Sequence, residues 1–212
     1  MQFNEVPPGV PDARAALPRV LAALAIAGCS QPLWAGEQCA AAHDSPDSIN
    51  EIRTEWRDEH SNAVRLSEWQ GRRVLLTMAY STCRQVCGYS LHRLEQLQQS
   101  ADQAGTPIEI VVISYDPTID SPATWLVYRQ HHHLARSNWH FLTGTVPETQ
   151  AFSRALDFPN WHYDEHVIHD FKILLIGADG AIARTLTWVT RNEELFVTRA
   201  DGAPGAPAGD CK

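Results

Sequence analysis

The chain has 212 residues, enough for one domain with a true core plus flanking segments. Its formal net charge is -8, and no run of Lys and Arg forms a basic stripe. A nucleic-acid partner would therefore gain no electrostatic attraction, and that class is excluded. The five cysteines, Cys29, Cys39, Cys83, Cys87 and Cys211, are odd in number and unevenly spread, unlike the framework of a disulfide-stapled mini-fold.

At the N-terminus, Arg14 and Arg19 flank a short apolar run over 20–27 that ends in Ile26-Ala27-Gly28-Cys29. A positive flank, a short apolar centre and small residues predict a secretory signal over 1–28. The run falls short of the roughly 20 apolar residues a membrane-spanning helix needs. Ile26-Ala27-Gly28-Cys29 resembles the lipobox of bacterial lipoproteins, which implies lipidation of Cys29 and a membrane anchor on the periplasmic side. Cleavage after Ala35, in Leu33-Trp34-Ala35, is the alternative and would release a soluble periplasmic protein. Residues 29–50 lack periodicity and contain Pro32 and Pro46, as in a flexible tether.

Folded structure is expected over 51–198. Trp56, with Val64 and Leu66, predicts a short strand, and Gln70-Gly71 a turn. Val74 to Ala79 is apolar apart from Thr77, the pattern of a strand buried on both faces. Leu91, Leu94, Leu97 and Ala101 recur at helical spacing up to a stop at Gly105, and Ile108 to Ser114 reads as a second strand. The two strands with the helix between them predict a βαβ unit. Ser121-Pro122 starts a helix ending in His131, His132 and His133; His140 to Thr143 predicts a strand, and Pro147 opens another helix. Phe171 to Ile176 and Ile182 to Trp188 flank Asp179-Gly180 as a hairpin. A short helix near 192–197 closes the domain, and the Gly/Ala/Pro-rich 199–212 is a disordered tail. The fold class is α/β, with a mixed central sheet flanked by helices and a terminal β-hairpin.

Cys83 and Cys87 lie four positions apart where the first apolar strand gives way to the helix. Unpaired N–H groups and the positive end of a helix dipole favour thiolate there, and thiolate is both nucleophile and metal ligand. Sulfur chemistry is therefore expected, either at a metal or by thiol–disulfide exchange.

A strand, a cysteine pair at a helix start, a βαβ unit and a terminal hairpin describe a thioredoxin-like layout. Reductases of that fold use CxxC with a proline before a later strand. Here the spacing is CxxxC, and His166-Val167-Ile168-His169-Asp170 precedes the Phe171 strand without a proline. This combination resembles the Sco/SenC family of copper-binding proteins that help build the CuA centre of cytochrome c oxidase. The resemblance runs from Trp56 to Trp188 through Tyr80 to Cys87, Ser114-Tyr115-Asp116-Pro117, Asp120-Ser121-Pro122, Leu142-Thr143-Gly144 and His169. It implies a thioredoxin-like fold and copper held by Cys83, Cys87 and His169. The implied role is a copper metallochaperone, whose partner is a cytochrome c oxidase subunit or another copper-accepting protein. Two sulfurs and one imidazole nitrogen suit Cu(I) and can still hold Cu(II). The alternative is a thiol–disulfide oxidoreductase with Cys83 and Cys87 as the redox-active pair.

The sequence departs from the family pattern at Arg84 and Gly88, where prolines are usual, and at Asp170, where serine is common. The Asp170 carboxylate is expected to orient His169 or to add an oxygen ligand. Asp116 and Asp120 are read as loop and capping residues, and His131 to His133 as a polar helix end. His162 and His166 are read as solvated loop residues, with an accessory-ligand role left open. A pairing of Cys39 with Cys211 is left open too.

Overall fold

The computed structural model describes residues 46–83, 86–164, 166–190 and 196–197. The signal, most of the tether with Cys29 and Cys39, most of the closing helix, and the tail with Cys211 lie outside the described residues. Nine strands and three α-helices are seen among them.

The sheet grows from β3 (Val74–Ala79), every residue of which is buried. A strand covered on both faces belongs at the middle of a sheet, and β3 is the middle strand of five. On one side β4 (Glu109–Ser114) runs parallel to it, and β5 (Trp139–Leu142) runs parallel to β4. On the other side β8 (Lys172–Ile176) pairs antiparallel with β3, and β9 (Ile182–Thr187) antiparallel with β8. The fold is thus α/β, with the expected mixed sheet and terminal hairpin. Gly180 in the hairpin turn has φ of +86°, a conformation glycine adopts without steric cost.

Helix α1 (Val86–Gln103) links β3 to β4 and buries Cys87, Leu91, Leu94, Leu97, Gln98 and Ala101, one stripe at three- and four-residue steps. Each fully buried leucine in this core stabilises the fold by about 1.5–3 kcal/mol. Helix α2 (Pro122–His131) starts at Ser121, whose hydroxyl accepts the Thr124 N–H. Helix α3 (Val146–Ala155) starts at Thr145 with Glu148 completing a reciprocal cap. A buried ion pair of Glu59 with Arg129 ties the segment before the sheet to α2, and Glu59 also accepts the Phe141 N–H at 3.2 Å.

Three features differ from expectation. Ile49 and Asn50, expected in the tether, belong to a short 3-10 helix, Ile49–Glu51, and Ile49 is buried with its N–H on the Gly180 carbonyl at 2.9 Å. Leu66 is not in a strand: β1 (Trp56–Arg57) pairs with β2 (Ala63–Val64), and Leu66 opens a one-turn 3-10 helix, Leu66–Trp69. Residues between α3 and β8 form a separate two-stranded sheet, β6 (Asn160–Tyr163) with β7 (His166–His169). Its turn holds Asp164 at φ +55°, a left-handed geometry that Asp tolerates and tight hairpins require.

Candidate metal centre

Topology brings the distant parts of the site together. Because β8 is antiparallel to β3, the start of β8 lies beside the end of β3, with Thr77 opposite Ile173. Thr77, the one polar residue in β3, donates its hydroxyl to the Lys172 carbonyl at 2.7 Å and fastens that junction. The chain entering β8 therefore delivers His169 to the place where the chain leaving β3 delivers the cysteines.

Cys83 Sγ, Cys87 Sγ and one ring nitrogen of His169 all lie within 4.8 Å of one another, and no other such group of His, Cys, Asp and Glu occurs among the described residues. His169 Nε2 is 3.5 Å from Cys87 Sγ and 3.9 Å from Cys83 Sγ. Its Nδ1–H donates to the Asp170 main-chain carbonyl at 3.0 Å, which leaves the Nε2 lone pair facing the sulfurs. The orienting group is thus a backbone oxygen, and the Asp170 side chain is exposed. Of the two roles expected for the Asp170 carboxylate, orienting His169 falls instead to a main-chain oxygen that any residue at that position supplies.

The two sulfurs are not equivalent. Cys83 precedes α1, is partly exposed, and its Sγ accepts the Cys87 N–H at 3.2 Å, an amide at the open end of the helix. Cys87 sits on the buried stripe of α1 and is fully buried. Burial pushes the Cys87 thiol well above the ordinary range, with Cys83 and Asp120 adding to the shift. Thiolate stabilisation by the helix start was expected at both cysteines. At Cys87 the loss of hydration outweighs it, so that thiol carries its proton until something replaces it. A cavity of about 310 Å³ opens beside Cys83 and His169, with Tyr80, Val86 and His166 on its wall; Cys87 lies behind.

Three neighbours escaped the sequence reading. Tyr80 and Tyr115 flank the imidazole, at ring-centroid distances of 5.8 and 4.5 Å. Burial and the nearby thiols push the Tyr80 hydroxyl up to about 12, and burial raises Tyr115 too, so both are neutral walls. Asp120, read as a capping residue, is fully buried beneath the cysteine loop. Its carboxylate accepts the Ser81 N–H at 3.0 Å, the Ser81 hydroxyl, and the Ser114 hydroxyl at 2.6 Å. Ser81, two residues past β3, and Ser114, the last residue of β4, were the available signal, since a buried carboxylate needs such donors. His162 and His166 are exposed, in strands and not in loop. His131 ends α2, as expected of a polar helix end.

A thioredoxin-like sheet that presents two thiols and an imidazole at one end defines a small class of sulfur and metal proteins. The sequence model of the SCO1/SenC family matches residues 48–199, and the chain belongs to that family. Among curated proteins no sequence matches. The solved structure of yeast Sco1 with copper bound is similar at TM-score 0.58 and 22% identity, over 68% of this chain and 82% of that one. A SCO1/SenC family lipoprotein from Bacillus anthracis is similar at TM-score 0.62 and 20% identity, over 68% of this chain and 88% of that one. BsSco, a Sco-family cytochrome c oxidase assembly protein with an identified disulfide switch, is similar at TM-score 0.60 and 22% identity. That match covers 72% of this chain and 92% of BsSco.

Proposed function

We propose that Cys83, Cys87 and His169 bind copper and that the protein is a metallochaperone delivering it to a CuA-type site of cytochrome c oxidase. The observation that carries this reading is the convergence of the three ligand atoms within 4.8 Å, with the lone pair of His169 Nε2 turned toward both sulfurs. The donor set fits: two soft sulfurs and an imidazole hold Cu(I) and still accept Cu(II), whereas zinc ordinarily completes four ligands. Binding would displace the proton that burial keeps on Cys87. The cavity beside Cys83 gives an acceptor's ligands a route to the metal, with Cys87 behind. We take 51–198 as the copper-handling domain, exported and tethered through a lipidated Cys29, with cleavage after Ala35 as the soluble alternative.

The exposure of Cys83 beside a buried partner thiol also favours a second reading, thiol–disulfide exchange on partner cysteines, with Cys83 attacking and Cys87 resolving. Adding Cu(II) to the reduced protein separates the two. The chaperone reading expects a thiolate-to-copper charge-transfer band that weakens when His169 becomes Ala. A colourless mixture, with brisk reduction of a model disulfide insensitive to His169, would establish the exchange reading instead.

A further inference from the structure

Beside Tyr115, which flanks the imidazole, lies a second, smaller polar pocket of about 150 Å³. Tyr115, Asp116, Thr149, Gln150, Asn160 and His162 line it. Three of its polar groups have bonding capacity to spare. Thr149 is 3% exposed, yet its hydroxyl has no hydrogen-bond partner among the described residues. A buried hydroxyl left so costs about 1–3 kcal/mol unless something enters to meet it. Asp116 is itself buried. One of its oxygens, Oδ1, accepts the Thr118 N–H at 3.1 Å and the Thr118 hydroxyl, while Oδ2 meets no donor among the described residues. The His162 imidazole likewise makes no hydrogen bond among them. Strand pairing explains its position: His162 is opposite Val167, on the inner face of the β6–β7 hairpin, while Trp161 and Tyr163 point outward to solvent.

A carboxylate oxygen, an imidazole and a buried hydroxyl around one small space disfavour an anion and suit a cation. One nitrogen and one hard oxygen donor match a borderline divalent ion such as zinc(II) or copper(II) better than calcium or magnesium, which take oxygen alone. We propose that Asp116 and His162 bind such an ion in this pocket, with Thr149 and Gln150 holding its water ligands. The site uses none of the three ligands of the thiol centre and stands whether or not copper binds there.

Zinc(II) is the probe, because it cannot oxidise the thiols. Crystals of the full chain soaked in zinc(II) should show an anomalous peak between Asp116 and His162, resolved from any peak at Cys83 and Cys87. His162→Ala, a change at an exposed residue, should abolish the pocket peak and leave the thiol peak. In solution it should weaken zinc binding at this site at least about tenfold, the scale on which a metal site responds to loss of a supporting group. A triple variant, His131→Ala, His132→Ala and His133→Ala, should leave the pocket peak in place. A pocket holding only water at saturating zinc, or zinc affinity indifferent to His162 and lost in the triple variant, would overturn the proposal. The copper reading of the thiol centre is tested separately, by copper and not by zinc.

Discussion

The two sides of the thiol–imidazole site are built differently. The sulfurs hang from the middle of the five-stranded sheet. A strand buried along its whole length leads to them, a buried carboxylate grips the loop through Ser81, and an 18-residue helix begins one residue before their second member. The imidazole comes from a two-stranded hairpin outside that sheet. Its outer face leaves Trp161 at 58% and Tyr163 at 71% exposed, while Val167 on its inner face is buried, and the imidazole itself meets one backbone carbonyl and two tyrosine rings. Global stability therefore belongs to the sulfur side, and adjustability to the histidine side. The proposed role, a copper carrier that must both hold and release its metal, has use for that division.

The sharpest way to break this contrast is to truncate one aliphatic side chain in the central strand and one on the hairpin's outer face. Leu76→Ala, in the central strand, should cost about 2–5 kcal/mol and lower the unfolding midpoint accordingly. Ile168→Ala, on the hairpin's outer face, should stay within about 0.5 kcal/mol, as exposed substitutions do. Similar losses in chemical denaturation would mean the hairpin is an integral part of the core.

A smaller effect is expected beneath the cysteine loop. Asp120→Ala strands the two serine hydroxyls and the Ser81 N–H in a buried site and should cost about 1–3 kcal/mol, read from the same denaturation curves. It should also weaken copper binding, because Ser81 is no longer anchored two residues before Cys83. Unchanged affinity would show that the loop holds its shape without the carboxylate.

The smallest effect is expected at Asp170. Since its main-chain oxygen orients His169, Asp170→Ala should leave copper affinity and stability nearly unchanged, within about 0.5 kcal/mol. A large loss of affinity would restore the carboxylate as a ligand or orienting group.

The same contrast explains what could be read from the residues alone. Strands β3 and β4, helix α1 and the β8–β9 hairpin are legible because burial on both faces, a helical stripe and an Asp-Gly turn each leave a local pattern. The cysteines announce themselves by spacing. The β6–β7 hairpin leaves no such pattern: Trp161 and Tyr163 look like core residues yet face solvent, because this small sheet packs by its inner face only. His169 could be singled out only by its register from Asp179-Gly180 in a family resemblance. The burial of Asp120 and the raised Cys87 thiol depend on what the fold stacks above them, which no local spacing encodes.

X-ray absorption at the copper edge of the loaded, reduced protein tests the central claim most directly. The account predicts a first shell of two sulfurs and one imidazole nitrogen, with the imidazole lost and both sulfurs kept when His169 becomes Ala. A shell with fewer than two sulfurs, or an imidazole that persists without His169, would contradict it.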